Sequence, residues 1–215
     1  MSKAIVTLVD GQKYEEIAKI TLPLMRNYAK KCGADLVILD NKIGLPVPHY
    51  AKLQIRNLDF ENICFIDIDV LINPKAPNIF EEYSNQLAML DEGKYAPERA
   101  MELAFYNGIF NPTKFYLESW DKRYFNTGVM LIPRKYLQYF KIPDKIQNST
   151  GEQNFLNLLF CVEKLPIMDL DPKFNYQISL FGKQGRLGMY MLHYTVDKQN
   201  TNQLIMDAYD LGKGV

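Results

Sequence analysis

Cysteine is scarce in this chain: of 215 residues only Cys32, Cys64 and Cys161 are cysteine. No CxxC pair occurs, which excludes a zinc knuckle and leaves no disulfide framework to read. Each cysteine stands in an apolar stretch, where a thiol serves as small core filler. Histidine is scarcer still, with two, and tryptophan occurs once. Long apolar runs are missing as well. The first, Ala4 to Val9, is too short for a signal peptide, and no segment approaches the ~20 apolar residues of a membrane span. Basic runs never exceed a pair, as at Lys30-Lys31 and Arg134-Lys135, and 25 basic residues are matched by 25 acidic ones. A nucleic-acid partner, held by clustered Lys and Arg, is therefore not expected. These absences point to a soluble protein of a reducing, cytoplasmic compartment with no membrane span.

What is present suffices for one domain. With 47% hydrophobic and 23% charged residues the chain can bury a substantial core, and disorder is excluded. A single domain over 1–215 is expected, complete or as the N-terminal part of a longer protein. Ala4 to Val9 reads as a strand covered on both faces. A helical pattern runs from Tyr14 to Lys31, kinked or split at Pro23, with Gly33 suited to its end. Asp35 to Leu39 reads as a second strand, completing a right-handed βαβ unit. A short helix over Ala51 to Leu58 precedes the most apolar strand, ICFIDIDVLI, and a turn at Asn73 to Asn78. A helix from Ile79, the strand QLAML, an aromatic excursion from Asp91 to Arg123, and the strand FNTGVMLIPR follow. Ser149 to Cys161 reads as a helix, KLPIMDL and GMYMLHYT as strands, and the stretch from Asn200 as a polar helix. The class is α/β.

Within FIDIDVLI, Asp67 and Asp69 stand two apart, which on a strand turns both carboxylates to one face. Unpaired carboxylates among Phe65, Ile66, Ile68, Val70 and Leu71 are costly, and two on one face repel. A divalent cation, a cationic partner, or placement at the strand's carboxyl end resolves the conflict; in open α/β sheets that end is where ligands bind. Oxygen ligands favour Mg²⁺ or Mn²⁺, and an added imidazole tilts the choice towards Mn²⁺. His193, at the end of a late apolar run, serves either as that imidazole or as a core histidine. His49 has no ligand partner near it in sequence. Asp169 and Asp171 repeat the spacing, but Pro172 follows at once, so a solvated or capping role is expected there.

Taken in order, these segments resemble the GT-A glycosyltransferases, most closely glycosyltransferase family 8, over residues 4 to 198. The resemblance implies a three-layer α/β/α domain with a central, mostly parallel, mixed sheet. It implies a UDP-sugar donor, a glycan or protein-linked sugar acceptor, Mn²⁺ or Mg²⁺, and transfer with retention. IVTLVDGQKY is similar to the first strand and nucleotide loop, so Thr7, Leu8 and Val9 would hold the base and Tyr14 would stack on it. AKLQIRNL resembles the segment whose lysine, Lys52, faces the nucleotide. FIDIDVLI resembles the DxD motif, implying that Asp69 binds metal and that Asp67 shares it and contacts ribose; HYTVDK implies His193 as a metal ligand and Lys198 as a phosphate ligand. AMLDEG would bring Asp91 near the donor sugar. FNTGVMLIPR would place Asn126, Thr127 and Gly128 at the sugar pocket, and GEQNFLN would place Glu152, where the family has aspartate, and Gln153 at the reacting carbon. Ser149-x-x-Glu152 also reads as a capping box, which is compatible with that role. Asp121 and the rings of Tyr95, Phe105, Tyr106, Phe110, Phe115, Tyr116 and Trp120 are further candidates, for a base and for acceptor packing. Two alternatives stand beside this reading: a haloacid-dehalogenase-like phosphatase, which also carries DxD after an apolar strand, and a non-catalytic nucleotide-sugar-binding module.

Overall fold

A computed structural model describes residues 1–99, 122–144, 146, 151–194 and 198–212. Asp121, Ser149 and the rings from Phe105 to Trp120 lie outside the described residues. Six strands form the main sheet in the order β2-β1-β3-β6-β5-β7: β1 (Lys3–Leu8), β2 (Asp35–Leu39), β3 (Asn62–Ile66), β5 (Leu87–Asp91), β6 (Phe125–Pro133) and β7 (Ile167–Asp169). Only β6 runs against the others, pairing antiparallel with β3 and β5, so the sheet is mixed and mostly parallel as expected. A second sheet, β4-β9-β8, joins β4 (Val70–Ile72), β8 (Tyr176–Gln177) and β9 (Met191–His193).

The apolar runs of the sheet strands are continuous because both faces are covered. Ile5, Cys64, Ile66, Val129 and Leu131 point into one core with Met25, Tyr28 and Ala29 of helix α1 (Gln12–Cys32). Their neighbours Ala4, Val6, Ile63, Phe65, Met130 and Ile132 point into another, with Tyr50 and Leu53 of a 3-10 segment (Pro48–Asn57). Leu156 and Phe160 of the twelve-residue helix Gly151–Val162 close that layer. This alternation by single residues is what makes the three layers. The one-turn helix Ile79–Glu82 is labelled α2 and Gly151–Val162 α3. A third apolar cluster seats the terminal helices α4 (Ile178–Phe181) and α5 (Lys198–Gly212) on the small sheet through Leu71, Leu192, Tyr194 and Leu204. There the fully buried Asp207 accepts from Arg186 Nε (2.6 Å) and Nη2 (2.7 Å).

Three expectations need correction. Pro23 does not split the first helix, which is continuous from Gln12 to Cys32. The proline lies on the exposed face, as does Lys19, so the carbonyl that loses its partner can be hydrated while Ile17, Thr21 and Met25 hold the other face. The stretch Ala51 to Leu58 is 3-10 rather than an ordinary helix, starting from Pro48. Most consequential, ICFIDIDVLI is two strands in two sheets, and Asp67 and Asp69 sit in the turn between them rather than on a strand.

Candidate active site

The turn is tightly tied. Asp67 N–H donates to Gly128 O of β6 (2.7 Å), and Val70 N–H donates back to Asp67 O (3.0 Å). Both aspartates thereby leave the carboxyl end of β3 at the sheet's centre, and β4 departs to pair with β9, setting Val70 opposite His193. That pairing brings an imidazole from far along the chain to the two acids. His193 Nε2 lies 3.5 Å from Asp69 Oδ1 and 3.8 Å from Asp67 Oδ2. One ligand atom from each of the three residues falls within 4.8 Å of the others, a set suited to a single divalent cation. Burial disfavours the charged imidazolium, yet Asp69 and Asp67 raise its pKa above the ordinary histidine value.

The acids open onto a cleft lined also by Leu8, Asp10, Tyr14, Pro48, His49, Lys52 and Ile68. Tyr14 and His49 meet edge to face with centroids 6.3 Å apart. Lys52 is buried beneath the cleft, its Nζ 3.3 Å from Asp67 Oδ1 and 3.1 Å from Glu152 Oε2. Burial alone would push this ammonium down, but Asp67 and Glu152 more than offset that and hold it well above the ordinary lysine range. One cation shared between two carboxylates leaves one of them short. The shortfall falls on Glu152, whose carboxyl is pushed up to about 7 by burial, against the pull of Lys52 and with Asp67 adding to the rise.

A consequence can be measured on the metal-free chain. A carboxyl raised from 4.5 to about 7 holds a proton in the folded state that the unfolded state has released. Its stabilising contribution is complete below the unfolded value and is lost as pH rises through about 7. Urea unfolding in chelator at about pH 5 and about pH 8 should show wild type losing on the order of 2–3 kcal/mol relative to Glu152→Gln between the two. Equal slopes for the two proteins would contradict the assignment.

Beside the cleft, β6 and α3 share an amide network whose orientation is set by backbone donors. Thr127 N–H donates to Gln153 Oε1 (3.1 Å), so the Gln153 amide nitrogen faces Tyr124 Oη (3.1 Å) and Glu92 Oε2 (3.5 Å). Asn126 Nδ2 donates to the same Glu92 oxygen (3.2 Å), and Thr127 Oγ1 to Glu152 Oε2 (3.4 Å). Thus Lys52, Asp67, Asp69, Asn126, Thr127, Gly128, Glu152, Gln153 and His193 are brought together. Leu8 and Tyr14 line the cleft, while Thr7 is buried in β1 and Val9 N–H is used by Leu39 O (3.0 Å). Asp91 stands apart from the network: its Oδ1 accepts from Tyr124 N–H (3.2 Å), its own N–H donates to Asp169 Oδ1 (3.0 Å), and burial raises its pKa. Lys198 is the first residue of α5. Asp169 pairs with Lys94, and Asp171 caps the turn after it through Lys173 N–H, in line with the structural role expected of this second pair.

Sequence reasoning missed four neighbours. His49 and Asp10 line the cleft, although His49 had no partner in sequence. Glu92, rather than the adjacent Asp91, reaches Asn126, and the fully buried Asn175 lies 2.9 Å from both His193 Nδ1 and Asn126 Oδ1. The segment FNYQ was the signal available for Asn175.

No protein-family model matches this chain, and no curated protein does either. Solved structures do. A glycosyltransferase involved in glycosylating the major capsid of PBCV-1 aligns at 13% identity and TM-score 0.61, covering 96% of this chain and 100% of that one. The galactosyltransferase LgtC, solved with donor and acceptor sugar analogues, aligns at 15% identity and TM-score 0.59, covering 96% and 95%. Mouse xyloside xylosyltransferase 1 aligns at 12% identity and TM-score 0.53, covering 90% and 97%. No helix among the described residues is long and apolar enough to cross a membrane. Strand order, cleft and structural likeness together identify the fold of this chain as that of the GT-A glycosyltransferases.

Proposed function

We propose that the chain is a metal-dependent glycosyltransferase that moves a hexose from a UDP-sugar to a hydroxyl of a glycan or protein-linked sugar. The observation that carries the reading is the convergence of Asp67, Asp69 and His193 within 4.8 Å at the open end of a cleft. Two carboxylates and one imidazole suit Mn²⁺ or Mg²⁺, and a cation bound there supplies the charge that offsets a departing diphosphate.

The chain's own residues would do the rest. Tyr14, on the cleft wall, offers a ring face for uracil, and of Thr7, Leu8 and Val9 at the end of β1 it is Leu8 that lines the same cleft. Lys52 anchors Asp67 from below and keeps it aimed at the cluster. Asn126, Thr127 and Gly128 would floor the sugar pocket. Glu152 and Gln153 would present polar atoms beside it, where charge grows on the anomeric carbon, and by the family-8 resemblance Asp91 would approach the donor sugar. Lys198 would reach the diphosphate. Retention of configuration follows from the family-8 resemblance. Buried thiols at Cys32 and Cys64 suit a reducing, cytoplasmic setting. The phosphatase alternative has lost its basis, because the fold is that of glycosyltransferases.

A thermal-shift titration tests the reading. UDP with Mn²⁺ at about 100 times its Kd should raise the midpoint by about 5 °C or more, by mass action. UDP in chelator should raise it far less. Equal shifts with and without Mn²⁺, or none with UDP, would refute the proposal.

A further inference from the structure

The three metal-cluster side chains are backed by a buried chain of amides whose direction can be deduced. Gly128 N–H can only donate, and it lies 2.9 Å from one terminal atom of the Asn126 amide, which must therefore be Oδ1. A second amide, that of Asn175, approaches the same oxygen at 2.9 Å, so the approaching atom must be the donor Nδ2. This leaves Asn175 Oδ1 facing His193 Nδ1 at 2.9 Å. A carbonyl oxygen can only accept, so Nδ1 must carry a proton, and in the neutral imidazole Nε2 is the unprotonated nitrogen that faces Asp67 and Asp69. At the far end, Asn126 Nδ2 donates to Glu92 Oε2, which closes the series on a carboxylate that is 4% exposed.

We infer that Asn175 is a positioning residue that holds His193 in the Nδ1–H tautomer, the form in which Nε2 can bind a metal, on orders relayed from the Gly128 backbone through Asn126. The inference rests on the metal reading proposed above, but the tautomer itself is a property of the metal-free chain. It is also not the form that the local charges prefer. Asp69, 3.5 Å from Nε2, would favour a proton on that nitrogen when no cation is bound. Reversing the tautomer would require Asn175 to flip, setting its oxygen against Asn126 Oδ1, or both amides to flip, setting Asn126 Nδ2 against Gly128 N–H. With Asn175 fully buried and Asn126 7% exposed, water is poorly placed to relieve either clash.

The relay also ties the cluster to the opposite wall of the site. Asn126 Nδ2 also reaches Gln153 Oε1 (3.3 Å), so His193 and Gln153 are joined through Asn175 and Asn126, and Glu92 takes both Asn126 Nδ2 and Gln153 Nε2. No other described side chain is placed within hydrogen-bonding distance of His193 Nδ1.

The test is nitrogen NMR of ¹⁵N-histidine-labelled protein in chelator, at a pH above the imidazole titration. Only two histidines are present, and a His49→Gln variant assigns them. Wild-type His193 should show a protonated Nδ1 and an unprotonated Nε2. Asn175→Leu should give mixed tautomers and weaken Mn²⁺ binding about 10–100-fold by calorimetry. Asn175→Asp still accepts from Nδ1 and should keep the tautomer, at a cost in urea-unfolding stability because its second oxygen faces Asn126 Oδ1. A wild-type His193 protonated on Nε2, or an Asn175→Leu protein with unchanged tautomer and unchanged affinity, would overturn the inference. If the chain proved not to use UDP-sugars at all, the tautomer result would still stand, so the two failures are distinguishable.

Discussion

Replacing Asp69 with asparagine should abolish metal-stimulated turnover while leaving the fold intact. The side chains are nearly isosteric, and Asp69 sits in a turn rather than in the sheet, so packing is little disturbed. What changes is charge. Asp69 Oδ1 is the carboxylate oxygen nearer His193 Nε2, and a neutral amide there removes an anionic ligand from a set of only three. Changes to groups behind metal ligands cost about 10–100-fold in affinity, and losing a ligand should exceed that. Isothermal titration with Mn²⁺ in the presence of UDP reads the effect directly. Wild-type affinity in the variant would remove Asp69 from the metal site.

Gly128→Ala should be nearly as damaging, for steric reasons. A Cβ on Gly128 would fall 2.2 Å from His193 Cε1 and 2.8 Å from Nδ1. Neither distance is tolerable, and the neighbouring backbone cannot yield easily, because Gly128 O holds Asp67 N–H and Gly128 N–H holds Asn126. The imidazole must therefore leave its place. Mn²⁺ affinity should fall by about as much as in His193→Ala, beyond the 10–100-fold expected of a group behind a ligand, with about 1–3 kcal/mol of overpacking in stability. Combining the two substitutions should add little further loss of affinity, since both remove one ligand. Full additivity, or wild-type affinity in Gly128→Ala alone, would show that the glycine is not needed to seat the histidine.

Much of the fold was legible because β1, β3, β5 and β6 are continuous apolar runs, the mark of strands covered on both faces. What misled was local rule-following. A proline within an amphipathic pattern suggests a break, but the exposed position of Pro23 made the break unnecessary. Two acids with spacing two suggest one strand face, whereas the chain turns between sheets at that point. The acids were conspicuous for their cost in apolar surroundings; their neighbours were not. Glu92 and Asn175 are ordinary polar letters whose roles arise from contacts with Asn126, 34 and 49 residues away in sequence. His193 could not be decided from sequence, because its position depends on the pairing of Val70 with it across two short strands.

The central claim is that Asp67, Asp69 and His193 hold a cation that makes the cleft a UDP-sugar site. It is tested most directly by following UDP release from a panel of UDP-hexoses with Mn²⁺ and with chelator, in wild type and Asp69→Asn. Wild type with Mn²⁺ should release UDP from at least one donor, and essentially none should appear with chelator or in the variant. UDP release that persists undiminished in chelator, or in Asp69→Asn, would contradict it.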